Sequence, residues 1–486
     1  MAHAVQTKRP ELAAKLAQYT MIEDALAGQE AVKAKKTDYL PRPNEIDPNS
    51  EEALARYTAY LTRAVYYNVI EPTREALVGQ LFLRPLKCEL PESMQPMLDD
   101  MNGEGLSAEE VVRQAANHVL PYGRGGFLTD FPRTGGEVTQ ADLENGVRPT
   151  IKFFSPWTIL NWRVRRVGNR HKLVMLVLQE ATEKANTNNQ FAVEVEHQYR
   201  VYKLSDSGQV TLEMWDEDHE GPIETLTING QDGQPLDEIP FEFIGSRNND
   251  VDVDEPPLYG LAVLNLAHYR NSADYEESCF MVGQPTPVFA GLTDDWVESH
   301  FDKGIVLGAR GAVPLPEGGK GSLMQAEPNT LAFEAMTHKE DQMIAIGAKI
   351  IRPQNNVERK EEEIKNEVAG QRSILMTIRN NIQSAFLKSL ERAAAFVGAS
   401  PDEIEAELND NFDLSSMTAE EIRWQIELFT KRMIPYKDVH ENLRRSGLVK
   451  GTPEESQDAI KKDQAFIDSV TPEPTQPTSP NPTNEN

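Results

Sequence analysis

"PPLYGLAVLNLAHYRNSADYEESCFMVGQPTPVFAGL" occupies Pro256 to Leu292, near the middle of the chain. Its prolines can open a helix, because a first turn tolerates the missing N–H and the fixed φ. Gly283 and Pro285 close it, so the spacing predicts a helix over 257–282. Its faces are mixed. Tyr259, Ala262, Leu266, Tyr269, Ala273 and Phe280 recur at helical spacing on one side. Asn265, His268, Ser272 and Glu276 recur on another. Burying those polar groups is costly unless each is hydrogen-bonded. Such a helix needs either internal partners or a second surface to meet.

Composition narrows what surrounds it. The chain has 486 residues, room for about two to four domains. It is 39% hydrophobic and 26% charged, enough apolar residue for sizeable cores. There are 77 acidic against 49 basic side chains, a net charge of -28. Phosphates repel such a surface, which excludes a general nucleic-acid binder but not a protein that surrounds DNA without gripping it. Cys88 and Cys279 form no metal spacing and no disulfide framework, and an intracellular compartment is expected. "MAHAVQTKRPELAAKL" at the N-terminus has no apolar signal core. The aliphatic run "LVMLVL", Leu173–Leu178, is far shorter than the about 20 residues that span a bilayer. No membrane association is expected.

Before the helix, the pattern splits in two. The first third reads helical. "SEEALARYTAYLTRAVYYNVIEPTREALVGQLFL" begins at the N-cap candidate Ser50, with Glu51 and Glu52 in the first turn. Leu54, Tyr57, Leu61, Ala64 and Val65 would form its buried face, and Pro72 would interrupt it. Another helix runs from Ser107 to Pro121, followed by a Gly-rich turn, Gly123–Gly126, and a strand over Phe127–Asp130. From Pro149 to Ser246, short β-branched and aromatic runs separated by turns such as Asp206–Gly208 predict a small antiparallel sandwich or barrel.

After the helix comes a compact mixed segment. It reads as a strand at Pro287–Ala290, a helix at Asp294–Asp302, and strands near Ile305–Leu307, Ala312–Leu315 and Ser322–Gln325. A helix over Leu331–Ile351 ends before Pro353. The charged run "RPQNNVERKEEEIKNE" leads into a long helix to about Val397 with the stripe Ile364, Val368, Leu375, Ile378, Ile382, Phe386. Gly370 lies inside it and costs about 1 kcal/mol relative to Ala, a candidate kink. Thr418 with Glu421 forms a capping box for a helix to Lys431. "TPEPTQPTSPNPTNEN", Thr471–Asn486, has no aliphatic or aromatic residue and is expected to be disordered.

No motif carries catalysis. "EGGKGS", Glu317–Ser322, places Gly321 where a phosphate loop needs Ser or Thr, and Pro314 where it needs Gly, so a turn is the better reading. "YGRGGF", Tyr122–Phe127, follows a helix and lacks dinucleotide-fingerprint spacing. "DVDVDEPP", Asp250–Pro257, lacks the Gly and the terminal Glu of a calcium loop and reads as a solvated acidic linker. The nine histidines show no H-x-x-x-H spacing, and no G-x-S-x-G occurs. No catalytic residue, metal ligand or cofactor site is assigned, and no enzyme is expected.

The Pro256–Leu292 stretch, together with "VLPYGRGGFLTDFP", "FFSPWTILNWR", "IPFEFIGS" and "EVAGQRSILMTI", resembles the portal proteins of tailed bacteriophages, in the same order over roughly residues 40–450. The resemblance implies a ring, a dodecamer in the family, at one capsid vertex of the virion. Double-stranded DNA passes through it without sequence specificity, and assembly is in the host cytoplasm. Implied partners are the terminase large subunit, head-completion, neck or tail adaptor proteins, and major capsid and scaffolding proteins.

The implied fold is α+β and mostly helical. Residues 1–256 would be a helical and β wing, 257–282 the first stem helix, 283–329 a small α/β clip, and 330–351 the second stem helix. Residues 352–365 would hold the tunnel loop, 366–399 the long kinked wing helix, 400–470 a short helical crown, and 471–486 a disordered tail. Arg352, Asn355, Asn356, Arg359, Lys360 and Lys365 would face DNA. Asn265, His268, Ser272 and Glu276 would meet a neighbouring subunit or the channel wall. The bland reading of "NNVERKEEEIK" is a solvated helix start with a Glu361–Lys365 pair. Rival readings of the whole chain are a non-catalytic scaffold or adaptor of a virion and a nucleotide hydrolase. The missing phosphate loop counts against the last.

Overall fold

The structure, a computed structural model, describes residues 4–43, 47, 49–131, 147–185, 189, 191–230, 233–283, 286–301, 315–324, 330–351, 373–410, 419–445, 449 and 451–470. The chain is α+β and divides into two compact units, Met1–Asp410 and Asn411–Asn486.

The first unit opens with helices α1 (Pro10–Ala27), α2 (Gln29–Ala34), α3 (Glu51–Arg63) and α4 (Ile70–Leu81). Ser50 caps α3 by accepting from the Ala53 N–H at 3.2 Å. The buried face of α3 is Ala53, Tyr57 and Tyr60, while Leu54 and Val65 are exposed, which corrects the expected stripe. The tyrosines set the helix phase through their hydroxyls. Tyr57 donates to the Leu40 carbonyl at 2.9 Å and Tyr60 to Asp274 at 2.7 Å. Pro72 is no interruption either: it sits in the first turn of α4, and the break falls earlier, where Ala64 leaves helical geometry.

Strand β1 (Lys87–Glu89) precedes α5 (Ala108–Tyr122). A full capping box starts α5, with Ser107 and Glu110 bonding each other's backbone. Gly123 ends it at φ 72, where a Cβ would stand 3.0 Å from the Glu255 carbonyl oxygen. Strands β2 (Arg124–Asp130), β3 (Thr150–Phe154), β4 (Ile159–Val167), β5 (Arg170–Ala185), β6 (Val193–Leu204), β7 (Val210–Trp215), β8 (Glu224–Thr227) and β9 (Phe241–Gly245) follow. They make two antiparallel sheets, ordered β3-β2-β9 and β4-β5-β6-β7-β8. Of the glycines read as a turn, Gly125 and Gly126 belong to β2 itself. Gly126 sits so close to Phe241 that a Cβ would come within 2.2 Å of the ring. Not every strand is short: β5 runs for 16 residues.

The chain then leaves this body through α6 (Tyr259–Gly283). A small unit of β10 (Thr286–Ala290), α7 (Asp294–Phe301) and β11 (Lys320–Met324) follows, with β10 and β11 paired antiparallel. Helix α8 (Leu331–Ile351) brings it back. Helix α9 (Ile374–Val397) re-enters the body, capped by Ser373 at one end and by left-handed Gly398 at the other. Leu375, Ile378, Ile382 and Phe386 are buried, as the stripe predicts. Phe386 meets Phe127 and Phe396 meets Phe131, with ring centres 5.7 and 5.0 Å apart. Around α9 lie the β3-β2-β9 sheet and α5, which makes it the pillar of the core. The first unit closes where β12 (Glu405–Glu407) pairs with β1. The expected crown segment therefore begins with residues that belong to the first unit.

The second unit holds α10 (Ala419–Thr430), α11 (Tyr436–Arg445) and α12 (Pro453–Val470). Inside it, Tyr436 packs on Phe429, and His440 meets the Ser456 hydroxyl at 2.7 Å. Thr418, Gly370 and residues 471–486, on which the capping box, the kink and the tail were read, lie outside the described residues.

Candidate functional site

The mixed helix is resolved by what its polar face touches. Asn265 is fully buried inside its own chain. Its Oδ1 accepts from the Val69 and Ile70 N–H groups at 3.0 and 3.2 Å, and its Nδ2 donates to the Tyr67 carbonyl at 2.7 Å. Ile70 begins α4 without a side-chain cap of its own, so Asn265 caps that helix from a distance. Ser272 accepts from the Val65 N–H at 3.0 Å. His268 is 2% exposed, bonds Glu340 of α8 at 3.1 Å and packs on Tyr67. Asn265, His268 and Ser272 are thus internal fasteners for the non-helical stretch 64–69 and for α8. That corrects their expected place against a neighbour or a channel wall. The physical reason is local: the backbone N–H groups at a helix start need partners, and α6 supplies them for Val69 and Ile70. Glu276 is only half-buried.

Two turns further along α6 from His268, Tyr275 meets Phe333, two turns earlier in α8 than Glu340. The two helices therefore run antiparallel. Burial stops partway: among described residues, the last buried position on α6 is Ala273. Asp274 and Glu277 are held by Tyr60 and Arg63 of α3, and there the body ends. Beyond it, Phe280, Met281, Val288, Val297, Leu323 and Leu331 are exposed, Leu331 at 69%. These side chains form an arm with little described core of its own.

A second group fixes the base of the arm. Arg124 is 1% exposed and its guanidinium lies over both the Trp162 and Phe243 rings, 4.6 and 4.1 Å from their centres. Its guanidinium donates to the carbonyls of Asp250, Val251 and Asp252 at 2.7–3.2 Å. Burial pulls its pKa down to about 10, so it stays charged at neutral pH. Asp254 accepts from the Arg247 N–H at 2.8 Å, and Lys15 pairs with Glu255. The segment read as a solvated acidic linker is therefore laced to the body immediately before α6. Sequence reasoning missed Arg124. The signals available were a lone cation between glycines in "YGRGGF" and a loop whose carbonyls had no strand to pair with.

A cleft of about 670 Å³ opens between α5, β3, β5 and β6, lined in part by His118, Lys152, Glu180 and Arg200. Its charges are satisfied: Arg200 bonds Asp130 and Glu180 at 2.5 and 2.7 Å, and Lys152 bonds Glu104 at 2.8 Å. Among the described residues no three His, Cys, Asp or Glu side chains come together to hold a metal, and no helix is long and apolar enough to cross a membrane. Arg352, Asn355, Asn356, Arg359, Lys360 and Lys365 lie outside the described residues.

Residues 257–397, from the prolines that open α6 to the end of α9, match a family described as Domain of unknown function (DUF4055). No curated protein matches. Solved structures similar to the chain include "Neck of native GTA particle computed with C12 symmetry", at 14% identity and TM-score 0.40 over 87% of this chain and 100% of that one. "Neck of empty GTA particle computed with C6 symmetry" gives 14% and 0.40 over 79% and 91%. "Virion of native gene transfer agent (GTA) particle" gives 13% and 0.37 over 88% and 100%. At those scores the likeness carries no argument about function.

Proposed function

We propose that the chain is a portal subunit, one of a ring that forms a DNA channel at a capsid vertex. The observation that carries the reading is the excursion of the chain. It leaves a helical and β body through α6, builds the small β10-α7-β11 unit, returns through antiparallel α8, and threads α9 back into the core it left. That order is the wing, stem, clip, stem and wing order implied by the quoted sequence segments. The exposed apolar side chains of the arm support it, because an arm rich in exposed apolar side chains is covered in a working assembly. Copies joined head to tail would cover it on both sides of each subunit.

In this reading the small unit docks the terminase during packaging and head-completion or tail adaptor proteins afterwards. The stretch 352–365 supplies the few cations, Arg359 and Lys360 among them, that steer DNA through an otherwise acidic channel. Such a channel lets DNA slide because most phosphates meet carboxylates instead of cations. The subunit performs no chemistry itself; the packaging motor supplies the work. Negative-stain microscopy of the purified chain should show rings with a central hole. Arg359→Ala with Lys360→Ala should leave the rings intact and change DNA packaging or retention. Loss of assembly would instead put those residues at a subunit contact.

A further inference from the structure

The five-stranded sheet is electrically polar along its strands. At one end, the β4–β5 hairpin carries "RVRRVGNRHK", Arg163–Lys172, with five Lys or Arg and no Asp or Glu, in a chain of net charge -28. Arg165 is neutralised by Asp206 at 2.8 Å and Lys172 by Asp237 at 3.3 Å. Among the described residues, Arg166 bonds only the Gly168 carbonyl and Asn169 within its own turn. Arg163 and Arg170 are exposed, and among the described residues no carboxylate pairs with them. Val167, directly opposite Arg170, is exposed beside them.

The other end is the reverse. The β4 partner of β5 stops at Leu178, and β7 joins β6 only from Tyr199 onward. Glu180–Ala185 and Val193–Gln198 therefore form a two-stranded ribbon beyond the sheet. Val193 and Val195, on one face by the two-residue repeat, are 63% and 61% exposed, and Phe191 beside them is 86% exposed. Glu183, directly opposite Val195, is exposed on that face, and Glu217, Asp218 and Glu220 are exposed in the turn after β7, at the base of the ribbon. Lys184, the only Lys or Arg from Glu180 to Tyr199, is bound to Glu196. A free ribbon with an apolar face and a rim of carboxylates is an unfinished contact. Arg170 and Ala185, at the two ends of β5, are about 50 Å apart at the strand rise of about 3.3 Å per residue.

We propose that the two ends bind each other between copies. The acidic ribbon of one subunit seats on the basic hairpin of the next, with arginine stems covering Val193, Val195 and Phe191 and their guanidinium heads meeting the carboxylates. The partner is a second copy of this chain because complementary surfaces sit at opposite ends of one rigid sheet. That makes a head-to-tail contact, which gives a ring when its rotation closes. This inference rests on the ring reading and assigns a specific contact to it.

The test is a charge exchange followed by mass photometry and sedimentation. One variant carries Arg163→Glu, Arg166→Glu and Arg170→Glu. The other carries Glu183→Lys, Asp218→Lys and Glu220→Lys. Each alone presents like charges at both ends and should form rings at least tenfold less than wild type, with an unchanged circular dichroism melt. Mixed one to one, they should recover rings in which the two alternate. Gln at the three arginine positions should weaken assembly by a smaller factor, as should raised salt on the wild type. If the variants form rings as the wild type does, or fail to recover on mixing while folded, the contact is wrong. Normal rings from the arginine variant with lost affinity for duplex DNA would make the hairpin a phosphate site instead. Wild-type protein that stays monomeric at every concentration would overturn the ring reading, and this contact with it.

Discussion

The inner and outer halves of α6 obey opposite rules. From Tyr259 to Ala273 the helix buries polar side chains and gives three of them partners in its own chain: Asn265 makes three backbone bonds, Ser272 one, and His268 reaches Glu340. Beyond Ala273 no described position of α6 is buried: Asp274 and Glu277 still reach Tyr60 and Arg63, Phe280 lies under the Arg63 guanidinium, and Met281 stands exposed. A buried amide with complete partners contributes to the fold of one subunit. An exposed apolar side chain such as Met281 adds little to that fold and is open to a partner. The same helix thus serves two levels of structure, with the change at the point where α3 lets go of it.

That contrast can be broken from the inner side first. Arg124→Ala should have the largest effect, because it strands three loop carbonyls and removes the cation lying over Trp162 and Phe243. Stability should fall by about 3–5 kcal/mol, read as a lower midpoint in urea, with the loop before α6 newly open to proteolysis.

His118 gives a pH-dependent effect of nearly the same size. Burial, with Arg74 adding to it, holds its pKa at about 4, against 6.5 for a free imidazole. As pH falls below 6.5 the unfolded chain takes the proton and the folded chain does not, so stability declines until pH is near 4. The loss approaches about 3 kcal/mol. His118→Gln should flatten that part of the curve, and the melting temperatures of variant and wild type should change by different amounts between pH 7 and pH 4.5.

Asn265→Ala leaves two N–H groups and one carbonyl without partners and should cost about 2–3 kcal/mol in the urea midpoint. At the small end, Met281→Glu with Leu331→Glu should change subunit stability by less than about 0.5 kcal/mol. The same pair should abolish assembly, seen as a shift to monomer in sedimentation. A large stability loss there would mean the arm has a core of its own.

Much of this contrast was legible in the sequence. The helix span, its apolar face, the α8 limits and the α9 stripe follow from period and punctuation, because each is set by local residues. The partners of Asn265 and Ser272 were not legible. They are backbone groups nearly two hundred positions away, and a side-chain pattern cannot announce a backbone acceptor. Arg124 was hidden for the same reason: its acceptors are carbonyls, and the acidic side chains of its loop suggested solvent. The phase of α3 failed because two tyrosine hydroxyls, not aliphatic spacing, decide which face turns inward.

The most direct test of the account is the mass and symmetry of the purified full-length chain, by native mass spectrometry with class-averaged electron micrographs. The account predicts closed rings of a single subunit number with a central hole, lost when Met281 and Leu331 are both replaced by Glu. A stable monomer at high concentration and across salt conditions, with the arm intact, would contradict it.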